Sequence, residues 1–266
     1  MSDTTIVFLF IPGLFLAMLL LVEVGRRIGM RRMAEETERQ RAGLVTVETA
    51  IYALLGLLVA FTFAGASSRF EARRVLIVQE ANAIGTAYLR LDLLPVAKQP
   101  ALREKFYRYT EARMAAYKAL PDIEAAYAQM ARATALQQEI WTGAVMALRE
   151  APPNSSLLLL PALNDMIDIT TSRLVAAKTH TPPVILGALA LLALFCSLLA
   201  GYGLAGGKPF TMVFHMIGFA LVLTLTIYVI LDLDHPRVGL IRVDFADQAL
   251  QDVLDGISNS SFGVQP

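Results

Sequence analysis

Cysteine is nearly absent from this chain of 266 residues: Cys196 stands alone, so no intrachain disulfide can form. Charge is scarce too, at 17% of residues, where soluble domains carry roughly a quarter. The 23 basic and 23 acidic residues cancel, which removes the overall positive field that a nucleic-acid partner would need. There is no GxSxG, no HExxH, no glycine-rich phosphate loop and no Cys/His spacing suited to a metal. The three histidines, His180, His215 and His235, are scattered along the chain and read as ordinary structural residues. Strand-like alternation and internal repeats are missing as well. These absences argue against an enzyme and imply no catalytic residue, no cofactor and no metal site.

Apolar residues, by contrast, make up 56% of the chain. They gather in four runs free of charge: Thr4–Val22, Thr49–Ser68, Thr181–Gly207 and Pro209–Leu231. A helix needs about 20 apolar residues to cross a hydrocarbon core of about 30 Å, and each run meets or nearly meets that length. The first run is followed by Arg26, Arg27, Arg31 and Arg32 and preceded by no basic residue, the reverse of a signal peptide, so it reads as a retained span. The expected fold is an all-α membrane protein with four transmembrane helices. A helical-bundle extramembrane domain lies between the second and third.

The second span continues past the apolar run without a proline until Pro95. Val75, Val78, Ile84, Ala87, Tyr88 and Leu91 recur at helical spacing, as for one buried stripe. One long helix from about Thr46 to about Leu93 is therefore expected. Prolines bound two further helices, Pro100–Leu120 and Asp122–Arg149, and Asn154 and Ser155 are candidate caps for a third. Pro182 and Pro183 mark a joint before the third span. The expected organisation is 1–66 for the first two spans and their basic connector, then 67–182 for the bundle. Spans three and four follow in 183–232, and 233–266 is a tail docked on the bundle with a frayed end.

The connector Arg26–Arg41 holds six arginines against Glu35, Glu36 and Glu38, and Lys208 would lie on the same side. By the positive-inside rule that side is cytoplasmic, which places the domain outside the cytoplasm, with the spans in the cell's inner (plasma) membrane. Glu48 sits just inside the second apolar segment; it marks either an ion path or the headgroup level. Asp232 and Asp234 end the fourth span, either as a cation-binding mouth or as part of a salt-bridged knot. The basic and acidic residues beside them, Arg69, Glu71, Arg73, Arg74, Arg237, Arg242 and Asp244, are read as a structural polar cluster, and Asn164, Asp165 and Asp168 as polar contacts of the bundle.

The segment LLGLLVAFTFAGASSRFEARRVLIVQEANAIGTA resembles the pore-helix region of bestrophins, where an apolar helix runs into an aromatic–Glu–Ala–Arg–basic segment, here Phe70, Glu71, Ala72, Arg73 and Arg74. Over nearly its full length, through EANAIGTAYLRLDLLP, PALNDMID and LDLDHPRVGLIRVD, the chain is similar to an uncharacterised bacterial bestrophin-like family. The resemblance implies a homo-oligomeric ion channel, a pentamer in lipid with the second helices around the pore and ions as the species handled. Leu54, Leu58, Phe61 and Gly65 would line that pore, and Gly56, Ala60, Ala64 and Ala66 would let neighbouring helices approach. Bestrophins hold their domain in the cytosol, opposite to the charge count above. The alternative reading is a membrane-anchored helical-bundle sensor or scaffold that does not conduct.

Overall fold

The computed structural model describes residues 3–32, 37–120, 122–206, 209–237 and 239–262, and no strand occurs among them. Eight α-helices follow in chain order: α1 (Asp3–Arg32), α2 (Glu38–Leu89), α3 (Gln99–Lys118), α4 (Ile123–Leu148), α5 (Ser155–Lys178), α6 (Pro183–Gly203), α7 (Pro209–Asp234) and α8 (Asp244–Phe262). Among the described residues, three helical stretches are long and apolar enough to cross a membrane, lying within Arg39–Leu93, Ser155–Gly203 and Val213–Asp234. The expected first span is helical within α1, although side chains 1–9 lie outside the described set, as do Glu35, Glu36 and Lys208. The expected long second helix is unbroken through Ala66–Arg74 and ends in a 3-10 turn at Arg90–Leu93.

The chain divides into two compact units, Met1–Arg69 with His180–His235, and Phe70–Thr179 with Pro236–Pro266. In the first, α1 crosses α6 with backbones touching. A Cβ added at Gly25 would sit 1.9 Å from the Leu198 carbonyl oxygen, and one at Gly201 would sit 1.9 Å from that of Val22. Only glycine tolerates such an approach, the same device by which small residues join helices in lipid. Met18 and Thr224 join α1 to α7 beside the crossing, and Cys196 is a fully buried core residue of α6.

In the second unit, the C-terminal part of α2 packs with α3, α4 and α5, and α8 adds a fifth helix against α3. Asp122 caps α4 by accepting from the Ala125 N–H. The expected cap on α5 is not made: Asn154 forms no capping bond, and the Ser155 hydroxyl instead donates to the Leu93 carbonyl at 3.1 Å. The buried stripe of α2 also differs from expectation. Val75 and Val78 are 44% and 43% exposed, while Arg73, Ile77, Glu80 and Ala81 are buried with Ile84, Ala87, Tyr88 and Leu91. Apolarity misassigned the face because two charged residues occupy core positions and have partners there.

Glu80 is fully buried, accepting from Arg113 Nε at 2.5 Å and from Arg173. Both guanidiniums also face the Tyr117 ring, as does that of Arg237, at 5.3, 3.9 and 5.1 Å from its centre. Arg237 in turn donates to Asp247 of α8. One carboxylate and one phenol thus tie α2, α3, α5, the tail and α8 together. Burial favours the neutral carboxyl, but the charges of Arg173 and Arg113 and their hydrogen bonds outweigh it and hold Glu80 below the usual glutamate range.

Two outcomes follow for stability, both measurable by unfolding of the detergent-solubilised protein. Gly201→Val should cost about 1–3 kcal/mol through backbone displacement, whereas Gly218→Ala, with nothing within 4 Å of its added Cβ, should stay within about 0.5 kcal/mol. Glu80→Gln should cost about 3–5 kcal/mol by leaving two buried guanidiniums without a counter-charge. Because the folded pKa lies below the unfolded one, Glu80 stabilises above about pH 4.3 and loses that effect as the pH falls further; the acid-side slope should be shallower in the variant.

Candidate pore-lining face and its polar ends

Helix α2 is lightly covered by its own chain. Only 6% of its most apolar stretch is buried, against 44% for α7. Leu55, Thr62 and Ala66 form its buried strip, and Tyr52 packs edge-on against Phe219 of α7 with ring centres 6.2 Å apart. At about 100° per residue, Leu54, Leu58, Phe61 and Gly65 fall within an arc of about 60°, to one side of that strip. Leu54 and Phe61 are exposed at 56% and 68%, while Leu58 and Gly65 are half-buried. Gly56, Ala60 and Ala64 are exposed as well, with open space around Gly56. Ala66 departs from expectation: it is fully buried within the chain and offers no surface to a neighbour.

The arc carries no charge. A ring of such residues around an axis would bind water weakly and oppose ion entry until widened, so its chemistry is that of a hydrophobic constriction.

The polar residues at the span ends separate into local arrangements. Glu48 is half-buried beside Gly203 of α6, its Oε2 3.7 Å from where a Cβ there would stand, an ordinary contact distance. Asp234 is 1% exposed, and both its oxygens are engaged: Oδ1 accepts from Arg69 Nε at 2.9 Å, and Oδ2 from the backbone N–H of Thr181 at 2.8 Å and from its hydroxyl. The Thr181 hydroxyl also accepts from Arg69. These bonds link the end of α7 to Arg69 of α2 and to Thr181 ahead of α6 in one polar knot. Asp232 accepts from the Tyr228 hydroxyl at 3.3 Å and is buried.

The expected polar cluster is not one group. Arg74 pairs with Glu71, Arg237 with Asp247 and Arg242 with Asp244, while Arg73 donates to the carbonyls of Ala176 and Thr179 at the end of α5. Asp165 and Asp168, expected as bundle contacts, are exposed on α5. Nor are the histidines all scattered: His180 and His235 stack with ring centres 4.7 Å apart, and His180 Nδ1 lies 3.0 Å from the Asp234 carbonyl oxygen. Thr181 and this stack were missed from the sequence. The available signal was Pro182–Pro183, which holds the preceding residues out of helix and leaves the Thr181 N–H to find a partner. Among the described residues, no three His, Cys, Asp or Glu side chains form a group suited to a metal ion.

The fold is shared with crystal structures of a bacterial bestrophin homologue from Klebsiella pneumoniae. One single-substitution variant superposes with a TM-score of 0.71 at 12% identity, covering 94% of this chain and 98% of the other. A second variant gives 0.68 at 13% identity over 92% and 98%, and a zinc-phased structure gives 0.67 at 14% over 94% and 98%. The curated proteins contain no match to the chain. A family model described as a bestrophin-like domain matches residues 13–246, with α2, the polar knot and the buried Glu80 inside it, and the chain belongs to that bestrophin-like family.

Proposed function

We propose that the chain is one subunit of a homo-oligomeric ion channel in which α2 surrounds the axis. The observation that carries this reading is the uncovered state of α2: an apolar helix of 52 residues with only 6% of its most apolar stretch buried by its own chain. Lipid can satisfy part of such a surface, but uncovered apolar positions recur at Val75 and Val78, where α2 belongs to the bundle unit. A neighbouring copy, carrying the same helix, suits both stretches. Family membership supports the same conclusion, since bestrophins are channels rather than enzymes.

In this reading α1 supplies the first of four spans, and the ring is a pentamer, as in bestrophins. Leu54, Leu58, Phe61 and Gly65 line the neck, with Leu54 and Phe61 reaching furthest into it. Gly56, Ala60 and Ala64 accommodate the adjoining helix. Glu48 lies toward one end of the path. Asp232 and Asp234 stand near the other end, with Asp234 acting as a tie rather than an ion ligand. The bundle faces away from the cytoplasm and the arginine connector toward it.

Phe61→Ala discriminates this from a sensor or scaffold without a pore. In a channel the substitution removes bulk from an apolar constriction, so ion flux into liposomes should rise at equal protein and equal oligomer content. On an exposed, poreless helix, flux should be absent from both proteins. A monomer or dimer without an axial opening in particle images would end the channel reading.

Sidedness has its own measurement. Ala128→Cys in a Cys196→Ser background, exposed on α4, should react with an impermeant thiol reagent on intact cells. Reaction only after lysis would put the bundle in the cytoplasm.

A further inference from the structure

The arginines at the facing ends of α1 and α2 lie outside the candidate pore-lining arc. Arg31 and Arg32 close α1, Arg39 and Arg41 open α2, and all four are exposed with no acidic partner among the described residues. Arg26 and Arg27 differ, since both pair with Glu23 at 2.7 Å. So do Arg69, Arg113, Arg173 and Arg237, each held by a carboxylate. With Glu23 counted, Glu23–Arg41 holds six arginines against four glutamates, an excess of two positive charges.

Exposed apolar side chains interleave with these charges. Ile28 and Met30 lie beside Arg31 and Arg32, and Leu44, Val45 and Val47 follow Arg41 within two turns. Water is a poor medium for such a row, and so is pure hydrocarbon. The boundary between acyl chains and headgroups suits both kinds of side chain, because arginine lays its stem on apolar surface and holds its guanidinium outward. A guanidinium there meets phosphate, which it binds through paired N–H donors.

We propose that Arg31, Arg32, Arg39 and Arg41 form a binding site for the headgroups of anionic phospholipids. The apolar neighbours select a lipid over a free anion, since inorganic phosphate gains nothing from Ile28, Met30 or Leu44. The site belongs to each subunit and does not depend on conduction.

The test uses the full-length protein in neutral detergent, titrated with fluorescent phosphatidylglycerol and with phosphatidylcholine. Phosphatidylglycerol should bind in preference, and raising salt from about 0.05 to about 0.5 M should weaken it. Replacing the four arginines together with glutamine should lower its apparent affinity on the order of several hundredfold, given roughly fivefold per charge. Replacing all four with lysine should retain most of it. Equal binding of both lipids, or full binding by the glutamine variant, would overturn the site, and displacement by millimolar inorganic phosphate would make it a free-anion site instead. Should the glutamine variant fail to fold, the lipid preference, salt response and phosphate competition of the unmodified protein still decide the matter.

Discussion

A carboxylate sealed from water can stay ionised only if cations are held against it, and Glu80 imposes that condition on the whole bundle. Two arginines from different helices must arrive together, because either alone would leave one oxygen bare or one guanidinium stranded. Tyr117 then shares its face among three guanidiniums and passes the constraint to Arg237, and Arg237 passes it to Asp247. Apolar residues of α8, among them Leu250 and Ile257, pack in the same core, and the bonds from Arg237 to Asp247 add a directional tie to that packing.

Much of the architecture was legible in the sequence, because its signals are long and redundant. Prolines bracket α3, α4 and α6, charge-free runs mark the apolar helices, and nothing interrupts α2. The face of α2 in the bundle was not legible. A glutamate and an arginine count as solvent-facing in any apolar pattern, so the stripe was drawn through Val75 and Val78 instead of Arg73, Ile77 and Glu80. The spacing from Arg73 through Ile77, Glu80 and Ile84 is as regular as that of any apolar stripe; what it lacked was knowledge of Arg113 and Arg173, distant in sequence.

At the candidate site the division is similar. The four positions on α2 could be placed on one arc from helical geometry alone, and the acidic end of α7 was visible. The knot was only half visible, since Thr181 and His180 come from the far side of the bundle sequence and meet Asp234 through the joint at Pro182. A single polar cluster was expected because the charged residues are close in sequence. Separate pairs resulted because each arginine meets a carboxylate near it in sequence: Arg74 meets Glu71, Arg242 meets Asp244 and Arg237 meets Asp247.

The crossing of α1 and α6 has a consequence for divergence. Where Gly25 and Gly201 let backbones touch, there is no side chain to exchange and no intermediate size to pass through, so drift at those two positions is all or nothing. The uncovered arc of α2 has no such lock: Leu54 and Phe61 can change in bulk without disturbing a packed interior. Within this architecture, new properties should therefore accumulate along α2 while the α1–α6 pair stays fixed as the unchanging frame on which they are tried.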